Sequence, residues 1–266
     1  MLVAWTACLL WENSASAVES PKATTSVVAR RDALKAISPS RIDSRYRQAV
    51  LRVLNDSSLY RRLPTQMVDC DPKMFTYLSK NPETLVEIWR KLDITRIELQ
   101  RQSENSFRLA DNSGTTGKLI IVEQNCDDRA QNRIVMFAEG AYEGKPFHRP
   151  VRAQCVLLLR SGSMKETNGR DFVAVRLDSF IRIERASIEL LAKVVHPLVG
   201  KTADRNFSDT LQFISSFSHA AETRPATIER LVSDLPHVSP ESQDALIQIA
   251  YQCGSQSSGQ PPPRQQ

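Results

Sequence analysis

The chain has 266 residues, 41% of them apolar and 24% charged, an ordinary globular composition with room for one or two domains. That excludes a collagen-like, disulfide-scaffold or wholly disordered chain, and no apolar run reaches the roughly 20 residues needed to span a bilayer. The formal charge is +5, from 35 basic and 30 acidic residues, and five cysteines are scattered along the chain.

Residues 2–11 form a ten-residue apolar run that leads to Ala15-Ser16-Ala17. An apolar core followed by small residues has the form of a secretory signal peptide. Residues 1–17 are therefore expected to be a signal peptide cleaved after Ala17, with the protein exported to the periplasm or another extracytoplasmic compartment. The basic n-region of such a signal is missing, and a true start upstream of Met1 would supply it. The mature chain keeps 35 basic residues against 29 acids, with Cys70, Cys126, Cys155 and Cys253. Four cysteines in an oxidising compartment permit disulfides in three pairings. None lies in a CxxC, so no zinc ribbon or thioredoxin-type site is expected, and Cys155 reads as a buried structural thiol.

Residues 18–27 read as a linker and residues 28–62 as a basic helical arm. Between Arg30 and Arg62 nine cations face three acids. Ser40-Arg41-Ile42-Asp43 has the spacing of a capping motif, and Tyr46, Val50, Val53 and Leu54 then recur at helical spacing. An α+β domain is expected over 63–221. It opens with two short helices, 74–79 and 82–92, with Asn81 as N-cap and Pro82 in the first turn. From Ile94 the apolar period changes to two. Alternation in 97–100, 107–109, 119–122, 134–138, 151–159 and 173–183 predicts an antiparallel sheet of about six strands with one face wet. Helices return with 187–196 and with a second that Asn206 would cap, carrying Phe207, Leu211, Ile214 and Phe217 on one face. The sheet is expected to pack against these C-terminal helices. Residues 222–253 form a further helical region, and 254–266 a low-complexity, disordered tail.

Few motifs carry chemistry. Val199-Gly200-Lys201-Thr202 lacks the earlier glycine of a P-loop, and Gly114-Thr115-Thr116-Gly117-Lys118 lacks its hydroxyl, so both read as turns. No two histidines form the i, i+4 helical pair that zinc enzymes use, and His196 reads as a helix-end residue. No serine-hydrolase signature is present. Asp69 with Asp71, and Glu139 with Glu143 around an expected hairpin, are carboxylate pairs of the kind a hydrolase uses. Each has an ordinary reading as a turn or a solvated loop tip. No catalytic, cofactor-binding or metal-binding residue is therefore assigned.

The order of short helices, antiparallel strands and a C-terminal helix over 72–221 resembles the helix-grip fold of START-like and Bet v 1-like proteins. That resemblance implies a carrier of an apolar, lipid-like ligand between sheet and helix, lined by residues such as Val173, Val175, Leu177, Leu211 and Ile214. The segments Leu63-Pro64-Thr65-Gln66-Met67-Val68-Asp69-Cys70-Asp71-Pro72 and His196-Pro197-Leu198-Val199-Gly200-Lys201-Thr202-Ala203-Asp204 are similar to a family of exported bacterial proteins without an assigned activity. The expectation is a non-catalytic binding or scaffold module. Arg45, Arg47 and Arg52 are its candidates for contact with an anionic membrane or wall polymer through residues 30–62. With only Tyr46 and Tyr60 in that stretch, no nucleic-acid platform is expected.

Overall fold

The computed structural model describes residues 22–126, 131–144, 149–167, 169–184 and 201–258, with side chains left undescribed at 201–203 and 256–258. The expected signal peptide, the helix at 187–196 and the end of the tail lie outside these residues.

The chain is α+β, built on one eight-stranded antiparallel sheet. Its strands are β1 (Leu59–Arg62), β2 (Gln66–Asp69), β3 (Glu98–Ser103), β4 (Ser106–Ala110), β5 (Thr115–Asn125), β6 (Asn132–Tyr142), β7 (Val151–Lys165) and β8 (Asp171–Ile183). The order is β1-β8-β7-β6-β5-β4-β3, with β2 also paired to β8. The two strands beyond the expected six are the four-residue β1 and β2, too short to show a period of two. Both lie on β8, Tyr60 opposite Phe180 and Val68 opposite Val173.

Helices cover both faces. On the first lie α1 (Val27–Ala36) and α2 (Arg47–Asn55). Ser26 caps α1 by accepting from the Ala29 N–H, and α2 starts after Asp43, whose carbonyl accepts from the Tyr46 and Arg47 N–H groups. The helix thus begins beyond the Ser40 motif, which forms a short 3-10 turn instead. Ala29, Ala33, Ile37, Ile42, Val50, Val53 and Leu54 pack on Ile120, Val122, Val135, Phe137, Val156, Leu158 and Phe180. Each large side chain buried here contributes about 1.5–3 kcal/mol, so the basic segment is a layer of the domain rather than a free arm. A bulge helps to seat it. Val122 and Glu123 together oppose Val135, and the freed Val122 carbonyl accepts from the Asp43 N–H at 2.9 Å.

The second face is covered by α3 (Pro72–Lys80), α4 (Pro82–Lys91), α5 (Lys201–Thr223), α6 (Pro225–Ser233) and α7 (Pro240–Ser258). Asp71 caps α3, accepting from the Lys73 and Met74 N–H groups. Asn81 is the N-cap residue of α4, as expected, but its side chain makes no capping hydrogen bond; its amide donates to the Tyr77 carbonyl and its oxygen accepts from Arg101. α5 is helical from Lys201, so Asn206 lies inside it, and Arg61 of β1 holds Asp204 of α5 through two hydrogen bonds. α7 continues through Gly254 to Ser258, so the first five residues of the expected tail are helical.

The sheet is therefore covered on both faces through its centre, and its first face is open to solvent at one end. Gly117 and Gly140 are paired there, and a Cβ on either would sit 2.7 Å from the Glu139 carbonyl oxygen or 2.5 Å from that of Thr116. Only glycine lets the two backbones come this close.

Candidate functional site

The sequence places its charges on the first face by simple alternation. The register aligns Gln100, Arg108, Lys118, Glu139, Gln154 and Arg182 in one row across β3 to β8. Arg108, Lys118, Glu139 and Gln154 of this row, with Thr116, Arg152 and Glu184 of the next, border an open groove of about 450 Å³. Its floor is sheet backbone at Gly117, Gly140 and Ala153. Arg108, Lys118, Glu139, Arg152 and Glu184 are all exposed. Neighbouring strands lie about 4.8 Å apart, so this row is a rigid, mixed-charge ladder that can hydrogen-bond to a polar ligand.

Beside the groove, the outer surfaces of α1 and α2 face the same way, because their inner surfaces rest on the same side of the sheet. Of the nine cations between Arg30 and Arg62, five serve the fold. Arg30 donates to the Leu54 carbonyl. Arg45 is exposed but forms an ion pair with Asp43 at 2.6 Å. Arg47 is half-buried and donates to the Ile42 carbonyl. Arg61 binds Asp204, and Arg62 binds Asp178 and Asp32. Arg31, Lys35, Arg41 and Arg52 are exposed, and their side chains have no ion pair with another described residue. On α1 the exposed Val27 and Val28 lie one turn before Arg31. Of the three sequence candidates, then, Arg52 presents an uncommitted charge, Arg45 a neutralised one and Arg47 an inward one.

At the opposite end of this face, under α1, lies a polar cluster that sequence reasoning missed. Asp178 is fully buried. Its Oδ1 accepts from the Tyr60 hydroxyl and Arg62 Nε, each at 2.6 Å, and its Oδ2 from Arg160 at 3.0 Å. Asp32 of α1 closes the cluster, accepting from Arg62 at 2.5 Å and Arg160 at 2.9 Å, with Arg176 at 3.6 Å. The Arg160 hydrogen bond is first among the causes that hold the Asp32 carboxyl below its usual range. Burial, then the nearby Asp178, raises the Tyr60 phenol. Burial also lowers Arg176, and the charges of Arg160 and Arg62 add to the effect. The available signal was Arg176 and Asp178 alternating with Val173, Val175 and Leu177, a pattern that solvent exposure explains equally well.

The other sequence candidates are separated or occupied. Val173, Val175, Leu211 and Ile214 are buried in one packed core with Phe207 and Leu246, against which Leu177 is half-buried; none of the five borders the groove. Glu139 lies within β6 rather than at a hairpin tip, and Glu143 is four residues further on, about 13 Å along an extended chain. Asp69 forms an ion pair with Arg170 and Asp71 caps α3. Gly114 forms a turn at φ +99°, whereas Gly117 and Lys118 belong to β5. His237 bonds to the buried Glu87 at 2.9 Å. Cys70, Cys126, Cys155 and Cys253 are unbridged, and the Cys70 thiol is pushed up to about 12, mainly by burial. Among the described residues, no three His, Cys, Asp or Glu side chains gather as a metal site, and no helix is long and apolar enough to cross a membrane.

No family model matches the chain, and no curated protein matches it. Parts of it are similar to solved structures. The hypothetical protein jhp0584 from Helicobacter pylori is 13% identical over 59% of this chain and 87% of its own, with a TM-score of 0.37. A conserved protein from Geobacillus kaustophilus is 14% identical over 59% and 93%, with a TM-score of 0.32. The protein XoxI from Bacillus cereus is 12% identical over 62% and 99%, with a TM-score of 0.32.

Proposed function

We propose that the chain is a non-catalytic, exported binding module whose α1/α2 face docks on an anionic lipid surface. The observation that carries this reading is the outward face itself. Arg31, Lys35, Arg41 and Arg52 are exposed without acidic partners among the described residues, and Val27 and Val28 stand exposed beside them. Basic residues around a small apolar tip favour an interfacial position, the cations drawn to the lipid charge and the valines entering the headgroup boundary. The neighbouring groove, on the same side, sets Arg108, Lys118 and Arg152 against Glu139 and Glu184.

Each cation near such a surface contributes about 1 kcal/mol, screened by salt over a Debye length of about 8–10 Å. Neutralising Arg31, Lys35 and Arg52 to Gln should therefore weaken binding to phosphatidylglycerol vesicles about 100-fold at low salt. None of the three supports the fold, so thermal stability should hold. Co-sedimentation with these vesicles, against phosphatidylcholine controls and a salt series, makes the test. Wild-type protein that stays in the supernatant at low salt, or a triple variant that still sediments, refutes the reading. Export is tested separately by the intact mass of protein from its native host, which should lack residues 1–17.

A further inference from the structure

We propose that Arg160 and Arg176, beside the Asp32 flank of α1, bind one phosphate-type oxyanion, either a free phosphate or a phosphodiester. The first support is a count of charge. Arg62, Arg160 and Arg176 share only Asp32 and Asp178, and Arg133 next to them is taken up by Glu123 at 2.5 Å. Among the described residues the cluster is one anion short.

The second support is the state of the two guanidinium groups. Arg160 and Arg176 are directly opposite on β7 and β8, where like charges repel. The Nε atoms of both are buried without a hydrogen-bond partner. Neither Nε reaches solvent, so the charge of both groups is poorly compensated and an anion would be met at the exposed side of Arg176. Arg176 reaches Asp32 only at 3.6 Å, beyond hydrogen-bond range, and its side chain keeps 31% of its exposure, so the cluster opens to solvent at this residue. Guanidinium forks match the geometry of phosphate oxygens, and one bound monoanion would balance the count. Asp32 is a rival acceptor at the rim and limits affinity, which gives the proposal a signature that a purely structural network lacks.

The test uses the full chain and inorganic phosphate at constant ionic strength, with chloride as reference. Thermal shift and titration calorimetry should show a saturable stabilisation of the wild type. Arg176→Met should abolish it, and should melt at or above the wild-type temperature in chloride because a repelling charge is gone. Arg176→Lys keeps the charge but loses the fork, and should bind about tenfold more weakly. Asp32→Asn should lower stability in chloride yet bind phosphate several-fold more tightly. Glycerophosphoglycerol run beside phosphate separates the sources, since a lipid headgroup is a diester. The soluble probes make the outcome independent of whether the outer face docks on vesicles. A wild type that does not respond, a shift that rises without saturating, or one that survives Arg176→Met overturns the site.

Discussion

Asp178→Asn is the most direct probe of how the α1 layer is held to the sheet. Asparagine keeps the shape of the side chain but removes its charge. In the folded protein Oδ1 accepts from Tyr60 and Arg62 while Oδ2 accepts from Arg160. An amide can present its oxygen to only one side, so its NH₂ would face a donor on the other. Asp178 is fully buried, and the side chains of Arg62 and Arg160 keep only 15% of their exposure. The variant thus leaves two sparsely solvated cations short of their counter-ion. Removing one partner of such a buried pair costs about 3–5 kcal/mol, a large share of the 5–15 kcal/mol that typically holds a domain. Tyr60→Phe, which removes a single hydrogen bond to the same carboxylate, should cost about 1.5–3 kcal/mol. The double variant should lose less than the two losses added, because both act on one carboxylate. Urea unfolding followed by circular dichroism reads all three, with an unchanged slope as the sign of a conserved folded state. A loss below about 1 kcal/mol for Asp178→Asn would mean that water reaches the cluster, and would remove the electrostatic account of how α1 is fastened.

The same cluster sets the alkaline behaviour. The folded Tyr60 phenol ionises above its ordinary value of 10.0, so the folded state keeps a proton that the unfolded chain has lost, and stability falls as pH rises past about 10. Tyr60→Phe should flatten that decline in pH-dependent unfolding. At the acid end the lowered Asp32 carboxyl contributes stability above its ordinary value of 3.8 that is lost as pH falls below it, and Asp32→Asn should remove that part of the acid limb. Gly140→Ala would drive a Cβ into the Thr116 carbonyl and should cost about 1–3 kcal/mol in a thermal melt. The same change at Gly169 meets no atom within 4 Å and carries only the strain of φ +85°. Cys70 and Cys253 are buried with thiols raised mainly by burial, so alkylation at pH 8 should be slow in the native protein and fast in urea.

The fold class was legible because a change of period survives in a single sequence. Val173, Val175 and Leu177 alternate with Arg176 and Asp178, and this alternation marks a strand whichever layer covers it. α1 was not legible. Its face is made of Ala29, Ala33 and Ile37, small residues that pack closely on the sheet but raise little apolar signal against Arg30, Arg31 and Lys35. β1 and β2 have only four residues each, and their assignment depends on the distant β8. The wet-face expectation held only over part of the first face, for a related reason. Polar residues on alternate positions mark a solvent face only where no helix lies above them, and the sequence around Arg160 and Asp178 does not say that α1 does.

The charge of the N-terminal segment shows the limit of reading function from composition. Nine cations against three acids suggest one uniform basic surface. Folding divides them by task instead. Arg61 and Arg62 leave the helices altogether for β1, where alternation sends Arg61 to Asp204 of α5 on one face and Arg62 to Asp178 on the other. Arg30, Arg45 and Arg47 satisfy carbonyls or a neighbouring carboxylate within the layer. What remains for a partner is four charges rather than nine: Arg31 and Lys35 on α1, Arg41 in the turn after it and Arg52 on α2. Affinity for an anionic surface should therefore follow Arg31, Lys35, Arg41 and Arg52, while substitutions at Arg61 or Arg62 should register first as lost stability. A binding assay that ignored folding would confuse these effects, whereas vesicle sedimentation paired with a urea midpoint for each variant separates them.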